Sequence, residues 1–390
     1  RAAGPIAALP GVIARTAPAG ARFALGDLTA AQARAAAAAA AAAACGFTCA
    51  QRRAHGWHAL TQAVAGELTA AEATARNALT AEACPARRCT GHGAAAHLAL
   101  ALVAQERERR AEAEREAQRA AELAASPILA AAVALVRART LATADETDRA
   151  LETLVAARRA LPEACRGGHL HDWLVATEAQ LRAARGDIDQ ARDLLTAAAG
   201  QDPRPLLAVA LAELHVRAGD PAAAVAALPA AGGDSGALAT RLVARTVEAA
   251  ARTALGERRR AHQLVEEALD LATPHGHRRV FTQGGADLRA LLAEHLDTGT
   301  AHRALVSELL NATAPGKDDH SPTPGLTEPL TERELTILRY LQSTLSNGEI
   351  AAELFLSVNT VKTHVRNIYQ KLGAPRRREA VRRARELRLL

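Results

Sequence analysis

Apolar residues recur at helical spacing near the end of the chain. Val361, Val365, Ile368 and Leu372 fall at i, i+4, i+7 and i+11, a stripe along one helix that needs a core to cover it. Asn359, Lys362, Thr363 and Arg366 fall at i, i+3, i+4 and i+7 on the other side. Two shorter apolar groups come first: Leu335, Leu338 and Leu341, then Ile350, Ala351 and Leu354. Start signals precede each group. Thr331 with Glu334, and Ser346 with Glu349, fit the reciprocal box in which hydroxyl and carboxylate satisfy each other's backbone N–H. Ser357 offers a capping hydroxyl to the third helix. Gly373 supplies a left-handed end and Pro375 blocks continuation. A fourth helix follows, with Ala380, Val381, Ala384 and Leu387 at i, i+1, i+4 and i+7.

A short helix, a tight turn and a longer helix are the layout of a helix-turn-helix DNA reader. The polar stripe of the third helix combines an amide, a lysine, a threonine and an arginine, side chains that suit base edges in the major groove. Charge agrees. Residues 328–390 hold twelve Lys plus Arg against seven Glu, a net of +5, whereas the whole chain is only +6. A basic segment on a nearly neutral body is the electrostatic footprint of a phosphate-backbone binder. Much of the charge comes from Arg376, Arg377, Arg378, Arg382 and Arg383, each of which either approaches DNA or belongs to a solvated face.

The preceding region repeats. Gly66-Glu67, Gly186-Asp187, Gly219-Asp220 and Gly256-Glu257 are each followed, five residues after the glycine, by Ala71, Ala191, Ala224 and Ala261. Weaker copies fit at Glu106 with Ala111 and Asp145 with Ala150, giving steps of 33 to 41 residues. An amphipathic segment flanks each pair on both sides, so the pattern predicts helical hairpins stacked as a tetratricopeptide-like solenoid. Aromatic residues make up only 2% of the chain, and strand-forming runs are scarce. Ala, Leu and Val must therefore fill the core, which suits closely approaching helices. The predicted fold class is all-α. An Ala-rich helical segment is expected over 1–55, the repeats over 56–310, a Pro/Gly-rich linker over 311–327 and the four-helix domain over 328–390.

The residues Leu330, Thr331, Arg333, Glu334, Ser346, Asn347, Glu349, Ile350, Ala351, Leu354, Ser357, Thr360, Val361, Lys362, His364, Lys371, Leu372, Gly373, Arg377, Ala380 and Val381 resemble the LuxR-type helix-turn-helix domain. The run from Thr360 to Gly373 is similar to the MalT-like, large ATP-binding branch of that family, whose sensor region the repeats also resemble. The resemblance implies that Lys362, Thr363 and Arg366 face bases. It implies that Asn347, Ser357, Asn359, Thr360, Lys371 and Arg377 contact phosphates or position the helix. The last helix, through Ala380, Val381, Ala384 and Leu387, would serve dimerisation or pack on its own domain. Two positions depart from the family pattern. Thr344 stands where a glycine is usual, and β-branched residues tolerate positive φ poorly. Ala374 replaces a larger aliphatic.

These features together predict a sequence-specific transcription regulator that binds double-stranded promoter DNA as a dimer or larger assembly. By resemblance it would be a cytoplasmic bacterial activator working with RNA polymerase, its repeats sensing an unidentified effector or protein partner. The alternative is a solenoid scaffold for protein–protein binding with incidental DNA contact. No catalytic constellation is evident, and G-x-x-x-x-G-K-[ST] does not occur, so no cofactor is expected within these residues. The chain opens at Arg1 and has no Met, and relatives of this layout carry an ATPase upstream. The expectation is a piece downstream of such a region, with ATP bound only there. Cys45, Cys49, Cys84 and Cys89, with His55, His58, His92 and His97 nearby, raise a zinc site. Their spacing is not C-x-x-C, and Cys165 makes the count odd, so reduced thiols and no metal are expected. The Ala35–Ala44 run is too short and weakly apolar to cross a bilayer.

Overall fold

The computed structural model describes residues 20, 23–24, 27–80, 93–143, 146–201, 203–228, 237–312, 337–338, 340–342, 345–353, 361, 365, 368–369, 372, 374 and 376–386. The chain divides into two compact units, Arg1–Leu310 and Asn311–Leu390. Among the described residues every regular element is helical, which makes the fold all-α. No helix among them is long and apolar enough to cross a membrane.

The first unit begins with α1 (Leu28–Ala44), which carries the alanine run. The Asp27 carboxylate caps it by accepting from the Ala30 amide at 3.0 Å. Six hairpins follow among the described residues: α2 (Thr48–Ala65) with α3 (Leu68–Thr80), α4 (Ala94–Glu106) with α5 (Arg110–Leu123), α6 (Pro127–Thr143) with α7 (Thr147–Ala160), α8 (His169–Ala184) with α9 (Ile188–Ala199), α10 (Pro205–Arg217) with α11 (Pro221–Ala227), and α12 (Leu238–Ala254) with α13 (Arg258–Ala272). Then come α14 (Arg279–Thr282), α15 (Gly285–Thr298) and α16 (Arg303–Ala312). A boundary at residue 55 falls inside α2, which runs on without a break. Asn311 and Ala312, expected to open the linker, are instead the last turn of α16.

The glycine-acidic pairs are the turns inside these hairpins. At Gly66 the amide donates to the Ala63 carbonyl at 3.1 Å, and the Glu67 amide donates to Gln62 at 2.9 Å. This is the paired-bond ending that a left-handed residue permits, and φ there is +96°. The same two bonds recur at Gly186, Gly219 and Gly256. The carbonyl of each acidic residue then accepts from the amides of Ala71, Ala191, Ala224 and Ala261, the first main-chain bonds of the second helices. All four alanines are fully buried. They stand where the two helices of a hairpin meet, and a larger side chain would hold them apart.

The weaker copies differ in detail. In the α4–α5 turn the left-handed residue is Glu108, with φ +60°, and the buried alanine is Ala113. The register lies two residues beyond the expected Glu106–Ala111 pair, because Glu106 still belongs to the helix. In the next copy the Ala150 amide donates to Glu146 and Ala150 is buried, as expected, whereas Asp145 lies outside the described residues. One turn had escaped the pattern. Gly46 joins α1 to α2 through the same bonds, with Gln51 where the other turns have alanine.

The first helices of the hairpins pack on one another in sequence, and the row then returns on itself, with α12 against α2 and α14 against α4. Gly66 is the tightest point of this seam. A Cβ there would stand 2.7 Å from the Ala239 amide nitrogen and 2.9 Å from Leu238. Gly186 has a similar φ of +92° but nothing near its missing Cβ. Gly186→Ala is therefore expected to cost only the left-handed backbone penalty, about 1–2 kcal/mol. Gly66→Ala adds the clash and should cost clearly more. Urea unfolding of both variants checks this, and equal losses would mean that the seam is looser than described.

Candidate nucleic-acid interface

The apolar stripe read from the sequence folds inward. Val361, Val365, Ile368 and Leu372 are all buried in one cluster with Ile337, Leu338, Leu341, Ile350 and Ala351. Ile337 joins this core without having been singled out, because it lies between Leu335 and Leu338, off their three-residue spacing. Leu335 and Leu354 lie outside the described residues.

The capping box at the start of α17 (Asn347–Glu353) forms in both directions. The Ser346 amide donates to the Glu349 carboxylate at 2.7 Å, and the Glu349 amide donates to the Ser346 hydroxyl at 3.3 Å. Hydrogen bonds from the Ser346 amide and hydroxyl hold the Glu349 carboxyl below the usual carboxylate range. The corresponding box at Thr331 and Glu334 lies outside the described residues.

Arg377 opens the last helix, α18 (Arg377–Glu386), and its guanidinium turns inward. Nε donates to the Leu341 carbonyl at 2.9 Å, Nη1 to Leu345 at 2.7 Å and Nη2 to Tyr340 at 3.3 Å. Tyr340 and Leu341 end the helical stretch before α17, where carbonyls lack intrahelical partners. A planar fork of five donors fits that task, as a lysine ammonium does not. Arg385 adds a bond to the Gln342 side chain at 3.3 Å. The two arginines fasten α18 to the turn that leads into α17. The resemblance implied a phosphate contact or a positioning role for Arg377, but not which carbonyls it holds.

The neighbouring residues show how the remaining basic cluster is arranged. Arg376, Arg378 and Arg382 are exposed and Arg383 is partly so. Ala380 and Ala384 are fully buried in the domain's own core and Val381 packs against it. The packing alternative therefore describes Ala380 and Ala384, whose surface is already covered within the domain. Ala374 is buried in the same cluster, and its amide donates to the Tyr369 carbonyl at 2.9 Å. Of the other expected DNA-facing residues, Asn347 is the first residue of α17 and is partly exposed. Ser357, Asn359, Thr360, Lys362, Thr363, Arg366, Lys371, Leu387 and the departure at Thr344 lie outside the described residues.

The cysteines correct one expectation. Cys49 is in a disulfide whose partner lies outside the described residues, whereas Cys45 and Cys165 are free. Spacing alone did not show which thiols the fold brings within bonding reach. Among the described residues no group of three His, Cys, Asp or Glu is gathered around a metal-sized space.

Residues 328–384 match the bacterial regulatory proteins of the luxR family. The C-terminal domain is thus a luxR-family helix-turn-helix domain. Over 70 residues the chain is 49% identical to the HTH-type transcriptional regulator MalT of Serratia proteamaculans (strain 568), covering 17% of this chain and 8% of that protein. It is 33% identical over 160 residues to the regulator of the same name from Cronobacter sakazakii (strain ATCC BAA-894), covering 34% of this chain and 17% of the relative. The chain thus spans less than a fifth of either relative. The second similarity is longer than the whole unit Asn311–Leu390, so it also takes in part of the chain before it.

Arg377→Ala should remove three bonds from a charged donor, each worth about 1.5–3 kcal/mol at most, and leave the carbonyls they held to water. Amide exchange across residues 337–353 is expected to accelerate, with Arg377→Lys recovering only a small part. Unchanged exchange in both variants would show that these carbonyls do not depend on Arg377.

Proposed function

We propose that the protein is a sequence-specific DNA-binding transcription regulator, most simply an activator, whose helical repeats respond to an effector or protein partner. The luxR-family match over 328–384 carries this reading. The names of the similar proteins, both transcriptional regulators, support it.

Burial of Val361, Val365, Ile368 and Leu372 fixes which side of their helix meets the core. The sequence spacing, at about 100° per residue, supports reading Asn359, Thr363 and Arg366 as the opposite side and Lys362 as its flank. In this reading Lys362, Thr363 and Arg366 contact bases in the major groove. Asn347, Ser357, Asn359, Thr360 and Lys371 contact the phosphate backbone or orient the helix. Arg377 acts by positioning, through the carbonyls it holds. The target is double-stranded promoter DNA, bound by a dimer or larger assembly, with RNA polymerase as the downstream partner.

Selection of the full chain on a random duplex pool in physiological buffer tests the reading. An enriched motif is expected. Arg366→Ala should cost about 1–3 kcal/mol on that motif and much less on unrelated duplex. Equal losses on both would make Arg366 a phosphate contact. No enrichment by the folded protein would favour a solenoid scaffold whose DNA contact is incidental.

A further inference from the structure

The seam that closes the row of hairpins is built differently from the rest of the first unit. The apolar clusters of the hairpins each join neighbours in sequence, one running from Phe23 to Leu181 and another from Leu242 to Leu309. No cluster among the described residues holds members from both sides of the seam. Apart from the close approach of Leu238 and Ala239 to Gly66, the contacts that cross it are polar. The His277 ring lies 2.9 Å from the Gly66 carbonyl through Nε2, and the Arg278 amide donates to the Glu106 carbonyl at 2.9 Å. Arg107 Nε donates to the His275 carbonyl at 3.1 Å, and the Thr69 hydroxyl to Pro274 at 3.2 Å. The Thr282 hydroxyl donates to Glu108, whose left-handed backbone forms the α4–α5 turn.

Glu106 is the hub of this seam. Its carboxylate receives Arg139 Nη2 at 2.6 Å from the same side and faces His277 Nδ1 at 3.9 Å from the other. Burial alone would raise its pKa, but Arg139, His277 and Arg279 outweigh that and hold it well below the carboxylate range. Arg279 comes from the closing segment. Burial, and then the neighbouring Arg139, bring its guanidinium down to about 10 despite the attraction of Glu106 and Glu108. The Glu106 carboxylate thus pairs with Arg139 on its own side and feels the charge of Arg279 from the other. His277 Nδ1, Arg139 Nη1 and the Gln62 and Gln105 side-chain oxygens are buried without a protein hydrogen-bond partner.

We propose that this seam is a latch. The turns at 66–69 and 106–108 separate from segment 274–282 as a unit, opening the closed row of helices while the hairpins on either side stay folded. Apolar stacking resists separation of neighbouring hairpins, whereas the seam is held by hydrogen bonds that water can replace and by a charge balance centred on Glu106. An opening here exposes the faces that the first and last hairpins turn toward each other. It gives a repeat domain two discrete arrangements, the requirement for coupling a binding event to a distant domain.

The test follows the Arg278 amide, whose acceptor lies across the seam, by hydrogen exchange in the full chain. Spin labels carried by genetically encoded residues at the exposed positions 110 and 283 report the distance across it. Glu106→Gln leaves Arg139 and Arg279 facing each other without their carboxylate. It is expected to speed exchange at Arg278 by about tenfold or more and to add a longer label distance, with α8 and α9 unchanged. Thr69→Val, which removes the hydroxyl's bond to Pro274 across the seam and the one it accepts from Arg107 but keeps the charges, should give a smaller change in the same direction and serves if Glu106→Gln does not fold. Unchanged exchange at Arg278, a single unchanged distance, or acceleration that appears equally in α8 and α9 would each overturn the proposal.

Discussion

Close approach of two helices is the constraint on which the repeat unit depends. With so few aromatic residues, the unit cannot fill wide gaps and must bring backbones together instead. A left-handed residue ends the first helix within one turn, the following carbonyl starts the second, and an alanine occupies the point of contact. In α1 the same economy extends along a whole helix face. Its buried face is made of alanines alone, and Ala38 and Ala39 meet Ala54 of α2 directly. Each methyl buries little area, so stability must come from many such contacts, together with Leu and Val in the layers between.

That principle weakens where the row of helices returns on itself. Neighbouring hairpins share apolar layers, but the first and last share mainly hydrogen bonds to main-chain carbonyls and the charges around Glu106. The two kinds of contact respond differently to perturbation. Removing a methyl from a layer leaves a cavity, whereas removing a seam donor leaves a carbonyl that water can reach. The seam also explains why Glu108, rather than glycine, occupies a left-handed turn: its carboxylate there accepts from Thr282.

Local features of the fold were legible in the sequence, and distant ones were not. The Gly-acidic-alanine offset predicted four turns, and Val361, Val365, Ile368 and Leu372 predicted a buried stripe, because each is set by residues within a few positions of one another. Ser346 and Glu349 are of the same kind. The copy at Glu106 was misplaced by two residues because a left-handed glutamate leaves no signal of its own. The seam joins residues separated by 168 to 211 positions, and no periodicity connects Gly66 with His277 or Arg107 with His275. Arg377 was visible as a charge with an implied phosphate or positioning role, but its acceptors were not, since the three carbonyls belong to a helix end and turn that precede it by more than thirty positions.

The inward turn of Arg377 also separates two quantities that a count of basic residues treats as one. Long-range attraction of a polyanion depends on the total charge of residues 328–390, net +5, and Arg377 contributes to that field wherever its donors point. The release of condensed counterions depends instead on how many phosphates are paired, which sets how steeply added salt weakens binding. A guanidinium already engaged by three carbonyls contributes to the first quantity and little to the second. On DNA such a domain would attract its target as strongly as its formal charge dictates, yet lose it to salt more gradually than that charge suggests.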